Sequence, residues 1–367
     1  MRILFVAAPL LGHLYPMIPL ARALRAAGHD ILVASGGDVL ERPPAGFAVE
    51  DVVTGRFTFG RIATAAMLRH PRVMAREVAG TAGTDGVGHI FGAVNDLLVE
   101  RASALVDSWR PDVVVHEPLC GAGAVAAGRH GVPAVLHGNL LFDDALLTRV
   151  TTAAMRPRVD PPPSAAVLRI TPESLVRGAG GQPMRPIGYG GDASLPAVLR
   201  EPPTRPRILV SHSTIAGPGS ASVLARIVRV APAVDAEFVL LRAADKLSRR
   251  ALPGNVRAVG WAPLPEALAG ASGIVHHGGA GTILAALAAG VPQLVTPGPG
   301  DRRHNASVVA GRGAGFAVPA RKISALDLDR LLSDTTLRTA SAEVATEIAA
   351  MPPPAEIVAT LFADLTP

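Results

Sequence analysis

Residues 275–282, Val-His-His-Gly-Gly-Ala-Gly-Thr, combine two histidines, small residues and a threonine between an apolar run and a helical pattern. A strand that turns through glycine into a helix exposes backbone N–H groups, and the helix dipole attracts anions at that end. His277 can donate a hydrogen bond from its ring and Thr282 from its hydroxyl. The spacing therefore predicts a phosphate site, with a tight glycine turn as the alternative. The predicted contacts are His277, Gly279, Ala280, Gly281 and Thr282.

A second group of chemically able side chains follows two other apolar runs. His13 comes just after residues 3–8, and Glu117 comes just after residues 112–116. In open α/β sheets, ligands bind beyond the carboxyl ends of the strands. A histidine at that edge can serve as a general base, and a neighbouring carboxylate can orient its ring. A loop histidine that bonds the backbone and a solvated acid remain the alternatives.

Two further residues could contact a base or a sugar. Trp261, in Gly-Trp-Ala-Pro, offers a flat indole face for stacking on a base, although a role in the core competes. Asp301 ends the Pro-Gly-Pro-Gly-Asp loop, where its carboxylate could hold sugar hydroxyls unless this is a simple turn.

Metal chemistry is not expected. His276 and His277 are adjacent, so both cannot point at one ion from a strand, and the chain has one cysteine. No Gly-x-Ser-x-Gly elbow and no phosphate-binding loop with the Walker pattern occurs. The sequence predicts neither a metal nor a bound cofactor.

Apolar strand patterns alternate with helical ones on both sides of the middle of the chain. They recur at 3–8, 30–34, 112–116 and 133–137, and again at 207–211, 238–241, 256–259, 273–276 and 293–296. Strands that alternate with helices indicate doubly wound parallel sheets. We predict an α/β protein with two Rossmann-like domains facing each other across a cleft.

The domain boundaries are predicted from proline and glycine. Residues 157–206 are dense in both, which suits a linker at about 185–206 without regular structure. We expect one domain over 1–200 and a second over 207–351. The region 55–100 is poorly periodic and is expected to hold helices and loops, and Leu97 to Trp109 is predicted to be a helix.

Composition narrows the class of protein. The 367 residues carry a net charge of +5 without a long basic run, which argues against a nucleic-acid binder. No uncharged stretch approaches the ~18 residues that span a bilayer, so stable membrane insertion is not expected. The single cysteine, Cys120, fits a reducing compartment, and we expect a cytoplasmic protein.

Taken together, these motifs resemble the family-one glycosyltransferases with the GT-B fold, especially the bacterial enzymes that decorate polyketide and other antibiotic aglycones. The resemblance spans nearly the whole chain. It is strongest from Trp261 to Phe316, where Ala-Gly-Val-Pro at 289–292 and Asn305 follow in family order.

The resemblance implies an inverting, metal-independent transfer of sugar from a nucleoside diphosphate to a small hydrophobic aglycone. It makes His13 the base, Glu117 its supporting acid and His277 a diphosphate contact. Trp261 would lie near the nucleobase, and Ser213 and Thr214 would approach the phosphates or sugar. The resemblance makes 1–200 the acceptor-binding domain and 207–351 the nucleotide-sugar-binding domain. Residues 352–367 resemble a tail helix that returns to the first domain. A homodimer is left open.

Two departures from the family pattern bear on the donor. Relatives that use ribonucleotides often carry Glu where this chain has Ala285, and glucose-using relatives often carry Gln where it has Arg302. The missing Glu implies a deoxyribose, and the missing Gln implies a transferred sugar with fewer hydroxyls. Together they imply a thymidine diphosphate (dTDP) deoxysugar as the donor. The alternatives are a sugar-nucleotide epimerase, a membrane-docked transferase of lipid-linked acceptors, and a non-catalytic activator of a partner transferase.

Overall fold

The computed structural model describes residues 1–178, 180–213, 220–247 and 251–365. These residues form two compact units. The first unit comprises Met1–Arg185 together with Met351–Pro367, and the second comprises Pro186–Ala350.

The described residues of the first unit form a seven-stranded parallel sheet with the order β3-β2-β1-β4-β5-β6-β7. The strands are β1 (Arg2–Val6), β2 (Asp30–Ser35), β3 (Ala48–Asp51), β4 (Val113–His116), β5 (Ala134–Gly138), β6 (Ala166–Arg169) and β7 (Gln182–Pro183). The strand order reverses between β1 and β4, which makes that edge the expected ligand-binding position.

Helices connect these strands in the way that parallel pairing requires. They are α1 (Leu11–Leu14), α2 (Ile18–Ala26), α3 (Asp38–Glu41), α4 (Phe59–Arg69), α5 (Pro71–Ala79), α6 (Asp85–Trp109), α7 (Gly121–Arg129) and α8 (Asp144–Ala153). A 3₁₀ turn over Tyr15–Met17 leads into α2. In the final stretch of the chain, Pro354–Ile357 is α-helical and continues as a π-helical turn over Val358–Phe362.

The second unit repeats this strand order in its own parallel sheet, β10-β9-β8-β11-β12-β13. The strands are β8 (Arg207–Ser211), β9 (Glu237–Leu240), β10 (Val256–Ala258), β11 (Gly273–His276), β12 (Gln293–Val295) and β13 (Gly315–Ala317). The helices are α9 (Ala197–Arg200), α10 (Ser220–Val230), α11 (Ala244–Leu247), α12 (Leu264–Leu268), α13 (Ala280–Ala288), α14 (Arg302–Arg312), α15 (Ala325–Ser333) and α16 (Thr335–Ala350). The prediction of two Rossmann-like domains is therefore confirmed.

The central strands are buried on both faces, as parallel sheets covered by helices must be. Ile3 to Val6, Val113 to Val115 and Ile208 to Val210 have no exposed side-chain surface. These continuous apolar runs were the clearest strand signals in the sequence.

Glycines let the helices of the first unit pack closely, and they also hid one of those helices from the periodicity analysis. A Cβ at Gly88 would lie 2.6 Å from Val150, and one at Gly92 would lie 2.8 Å from the backbone of Ala154. The expectation of a helix beginning at Leu97 was wrong, because α6 already begins at Asp85. The glycines that weaken the helical signal are the residues through which α6 contacts α8.

We expect Gly92→Ala to destabilise the protein by about 1–3 kcal/mol, because the new methyl group overlaps backbone atoms that cannot move aside cheaply. Gly60→Ala is the matched control, since its Cβ would meet open space within α4 and alanine favours a helix by roughly 0.5–1 kcal/mol. Urea unfolding monitored by circular dichroism measures both changes. A Gly92→Ala variant as stable as Gly60→Ala would contradict this account of the packing.

The division between the two units follows Arg185, at the start of the predicted linker, but the proline-rich stretch is not without regular structure. The stretch 157–206 contains β6, β7 and α9, and residues from Pro186 onward belong to the second unit. The indole Nε1 of Trp261 donates to the carbonyl of Gly190 at 2.7 Å, and Arg207 donates to the carbonyls of Val198 and Glu201. These bonds anchor a proline-rich segment that composition alone describes as a linker.

Within the described residues, no helix has both the length and the hydropathy needed to cross a membrane.

Candidate active site

The first cluster of functional side chains lies where β1 and β4 end in the first unit. His13 lies on α1, just beyond β1, and Glu117 directly follows β4. The Nδ1 atom of His13 is 3.1 Å from Oε1 of Glu117. The structure thus brings together the two residues that the sequence predicted as base and supporting acid.

Glu117 is fully buried and is held by backbone donors. The N–H of Leu119 donates to its Oε2 at 2.8 Å, and the N–H of Ala8 donates to its Oε1 at 3.3 Å. A carboxylate can only accept hydrogen bonds, so Glu117 in this form accepts from the Nδ1–H of His13. The opposite ring nitrogen, Nε2, is then the basic one.

Other contacts fix the position of the His13 ring. The side-chain amide of Asn139 donates to the carbonyl of His13 at 3.1 Å, and the ring of Phe91 lies 5.2 Å from the imidazole. Phe59 packs 6.1 Å from Phe91. The side chain of His13 keeps 14% of its surface exposed, so the histidine has an apolar wall beside it and access to solvent. The sequence analysis did not identify Asn139 or Phe91.

The second cluster surrounds the loop between β11 and α13. Gly278 has a φ of +88°, which favours glycine, and a Cβ at Gly279 would lie 2.7 Å from Nε2 of His277. The His277 ring therefore occupies the space that the missing side chain leaves. Helix α13 begins at Ala280, and Gly281 is exposed in its first turn.

Not every amide of this helix start is available to a ligand. The N–H groups of Thr282 and Ile283 both donate to the carbonyl of Gly279 at 3.1 Å. Ala280 and Gly281 thus supply the amides that precede these internal bonds, where a helix N-terminus binds anions. Thr282 contributes through its half-buried hydroxyl rather than its backbone.

His276 connects the loop to β12 through its two ring nitrogens. Its Nδ1 accepts from the N–H of Gly278 at 3.1 Å, and its Nε2 lies 2.8 Å from Oε1 of Gln293. Burial lowers the pKa of His276 to about 4, so the ring is neutral at physiological pH. Its two bonds then fix the tautomer, and His276 acts as a structural residue.

His277 is also neutral but differently placed. Burial, followed by the charges of Arg302, His276, Arg242 and His212, lowers the pKa of His277 well below its usual value. Its Nδ1 is buried without a hydrogen-bond partner among the described residues. A buried polar atom of this kind is costly unless a ligand or water satisfies it.

The remaining predicted donor residues also lie in the second unit. Asp301 is exposed at the start of α14, and its Oδ2 accepts from Asn305, whose amide also donates to the carbonyl of Gly278. Asn305 thereby links Asp301 to the glycine loop. Ser213 is buried, and its hydroxyl accepts from Arg302 at 3.0 Å. Thr214 lies outside the described residues.

Trp261 is half-buried, and its indole N–H is already bound to Gly190. The guanidinium of Arg242 lies 5.7 Å from the centre of the indole ring system. Arg242 follows β9, Trp261 follows β10 and the glycine loop follows β11, so all three lie towards the carboxyl ends of parallel strands in this sheet. Among the described residues, no three His, Cys, Asp or Glu side chains gather into a group that could hold a metal ion.

Comparisons with known proteins agree with both halves of the chain. The model of the N-terminal domain of erythromycin biosynthesis protein CIII-like proteins matches residues 22–213, and that of the C-terminal domain matches residues 223–363. Elloramycin glycosyltransferase ElmGT of Streptomyces olivaceus is 37% identical over 98% of this chain and 97% of its own length.

Solved structures show the same fold over the full length. The glycosyltransferase SnogD from Streptomyces nogalater superposes with a TM-score of 0.84 and 36% identity, covering 99% of each chain. The Streptomyces sp. SF2575 glycosyltransferase SsfS6, complexed with thymidine diphosphate, gives a TM-score of 0.84 at 25% identity, also over 99% of each chain.

Proposed function

This chain belongs to the EryCIII-like family of antibiotic-biosynthesis glycosyltransferases of the GT-B fold, and we propose that it transfers a deoxysugar from a dTDP donor to a small hydrophobic aglycone such as a polyketide. The transfer inverts the anomeric carbon and uses neither a metal ion nor a bound cofactor. The hydrogen-bonded pair of His13 and buried Glu117 is the observation that carries this proposal.

The pair supplies the base that activates the acceptor. As an acceptor hydroxyl oxygen attacks C1 of the sugar, the bond between C1 and the diphosphate oxygen breaks, and the hydroxyl proton moves to Nε2 of His13. Glu117 accepts the Nδ1–H bond throughout and stabilises the imidazolium that forms. Attack on the side opposite the leaving group inverts the anomeric centre.

The second unit receives the leaving group in this proposal. Amides of Ala280 and Gly281, the Thr282 hydroxyl and the neutral His277 ring donate hydrogen bonds to the diphosphate. Donors fixed by the fold stabilise developing negative charge without reorganising. Asp301 contacts the sugar hydroxyls, Trp261 lies near the base, and Ser213 and Thr214 approach the phosphates or sugar.

Two residues support the choice of donor. Ala285, half-buried on α13, offers no carboxylate to a ribose 2′-hydroxyl, and Arg302 stands where glucose-using relatives often have Gln. The similar protein SsfS6 was crystallised with thymidine diphosphate. A cytoplasmic location is part of the proposal and is consistent with Cys120, a buried free thiol.

Donor binding and product stereochemistry test the proposal together. We expect calorimetry to show tighter binding of thymidine diphosphate than of uridine diphosphate. With a dTDP-deoxysugar and a panel of polyketide aglycones, NMR of the product is expected to show the anomeric configuration opposite to that of the donor. Retention of configuration, or a clear preference for uridine diphosphate glucose, would contradict the corresponding part of the proposal.

A further inference from the structure

Two arginines that the sequence analysis did not assign to the site converge on the glycine loop of the second unit. Arg242 follows β9, where its φ of +57° bends the chain, and Arg302 is the first residue of α14. Both are half-buried. Both act on the His277 imidazole, whose pKa their positive charges help to lower.

Hydroxyl groups at the end of β8 hold these two guanidinium groups. Nη2 of Arg302 donates to the Ser213 hydroxyl at 3.0 Å, and Nη2 of Arg242 donates to the Ser211 hydroxyl at 3.3 Å. Ser211 is also the register partner of His276 in the pairing of β8 with β11. The two bonds therefore hold both guanidinium groups at the carboxyl end of β8, beside the strand that the glycine loop follows.

The backbone of Arg302 is also fixed against the loop. A Cβ at Gly278 would lie 3.2 Å from the carbonyl oxygen of Arg302, and a Cβ at Gly298 would lie 3.3 Å from its Cδ. Burial lowers the pKa of the Arg302 guanidinium, against the opposing effect of Asp301. A partly desolvated guanidinium beside a neutral imidazole with an unsatisfied Nδ1 can give a bound anion charge-assisted hydrogen bonds.

We propose that Arg242 and Arg302 form a guanidinium clamp that binds the donor diphosphate and neutralises it as it leaves, in the place of a divalent cation. The inference rests on the proposed function and identifies the residues that supply positive charge in the proposed donor site. Neutral His277 contributes a hydrogen bond only, while the arginines supply the positive charge. Negative charge grows on the β-phosphate oxygens as the bond to C1 breaks, so the clamp stabilises the transition state more than the bound donor.

The clamp also explains the residue that departs from the family pattern. A planar guanidinium donates two parallel hydrogen bonds to phosphate, which neither glutamine nor lysine can reproduce. Arg302 in place of a sugar-binding Gln therefore shifts binding from sugar hydroxyls to phosphate. Such a donor site should distinguish nucleotides by the number of their phosphates more than by the sugar that is transferred.

Calorimetric titration of the full-length protein with thymidine diphosphate, thymidine monophosphate and thymidine tests the clamp. We expect Arg302→Gln and Arg242→Gln each to weaken diphosphate binding by about 10–100-fold, the loss of a charge-assisted bond. Monophosphate binding should weaken less, and thymidine binding should not change. Arg302→Lys should recover part of the affinity. The matched control is Arg257→Gln, which removes an exposed arginine on β10 of the same unit.

The outcomes separate this inference from the proposed function. If the wild-type protein binds thymidine diphosphate and both glutamine variants bind it equally well, the clamp is wrong and the proposed function stands. If the wild-type protein does not bind it, both fail. Thermal unfolding without ligand identifies a variant that has lost its fold. In that case the same titrations are made with Arg302→Lys and Ser213→Ala. If these variants lose as much affinity for thymidine as for thymidine diphosphate, the clamp is wrong.

Discussion

Replacing His13 by alanine is expected to lower kcat by about 10²–10⁴-fold, the usual contribution of a positioned general base. The affinity for thymidine diphosphate should change less than about twofold, because the residues proposed to bind it lie in the other unit. Steady-state kinetics, together with calorimetry, measures both quantities.

Two variants complete this test. Glu117→Gln keeps the shape of the buried carboxyl but sets an amide N–H against one of the backbone N–H donors, so we expect a smaller loss of kcat with unchanged donor binding. His130→Ala is the control, since His130 ends α7 and bonds only outside the proposed site, to Ser103 at 3.0 Å. If His13→Ala turned over as fast as His130→Ala, the base assignment would be wrong.

The sequence predicted both sheets because the central strands are buried on both faces. A continuous apolar run such as Ile3 to Val6 is typical of a central strand in a parallel sheet, and the residues that follow it lie at the ligand-binding edge. His13 and Glu117 could be proposed for that reason alone. Their separation of 104 positions gave no distance, and only the fold showed that they share a hydrogen bond.

Prediction from the sequence failed where tertiary contacts, rather than local sequence patterns, determine the structure. Prolines at 202, 203 and 206 suggested a free linker, yet Arg207 holds that segment through bonds to Val198 and Glu201 and an ion pair with Glu237. Arg242 carried no motif at all, because its role depends on a left-handed bend after β9 and on a serine 31 residues away. Arg302 was visible only as a departure from a family pattern.

Asp144→Asn is expected to stabilise the protein at pH 8 and to leave stability nearly unchanged at pH 4. Asp144 lies at the start of α8, where it is 8% exposed and packs over Gly138. Burial raises its pKa to about 8, although hydrogen bonds from the N–H groups of Leu140 and Asn139 act in the opposite direction. An aspartate in the unfolded chain ionises near pH 3.9. The folded protein therefore keeps a proton that the unfolded chain has lost between these values.

The sign of the effect follows from this difference. Because the pKa of the folded state is raised, the protonated acid stabilises the fold fully below about pH 3.9, and that contribution is lost as pH rises towards 8. Asparagine stays neutral and avoids a cost of at most about 5 kcal/mol at pH 8, which we expect as a rise in Tm of roughly 5–10 °C. Asp143→Asn is the control, since Asp143 is the exposed N-cap that accepts from Leu146 and asparagine caps equally well. Calorimetric scans at pH 4 and pH 8 that showed the same shift for Asp144→Asn at both values would mean that this carboxyl is ionised in the folded protein.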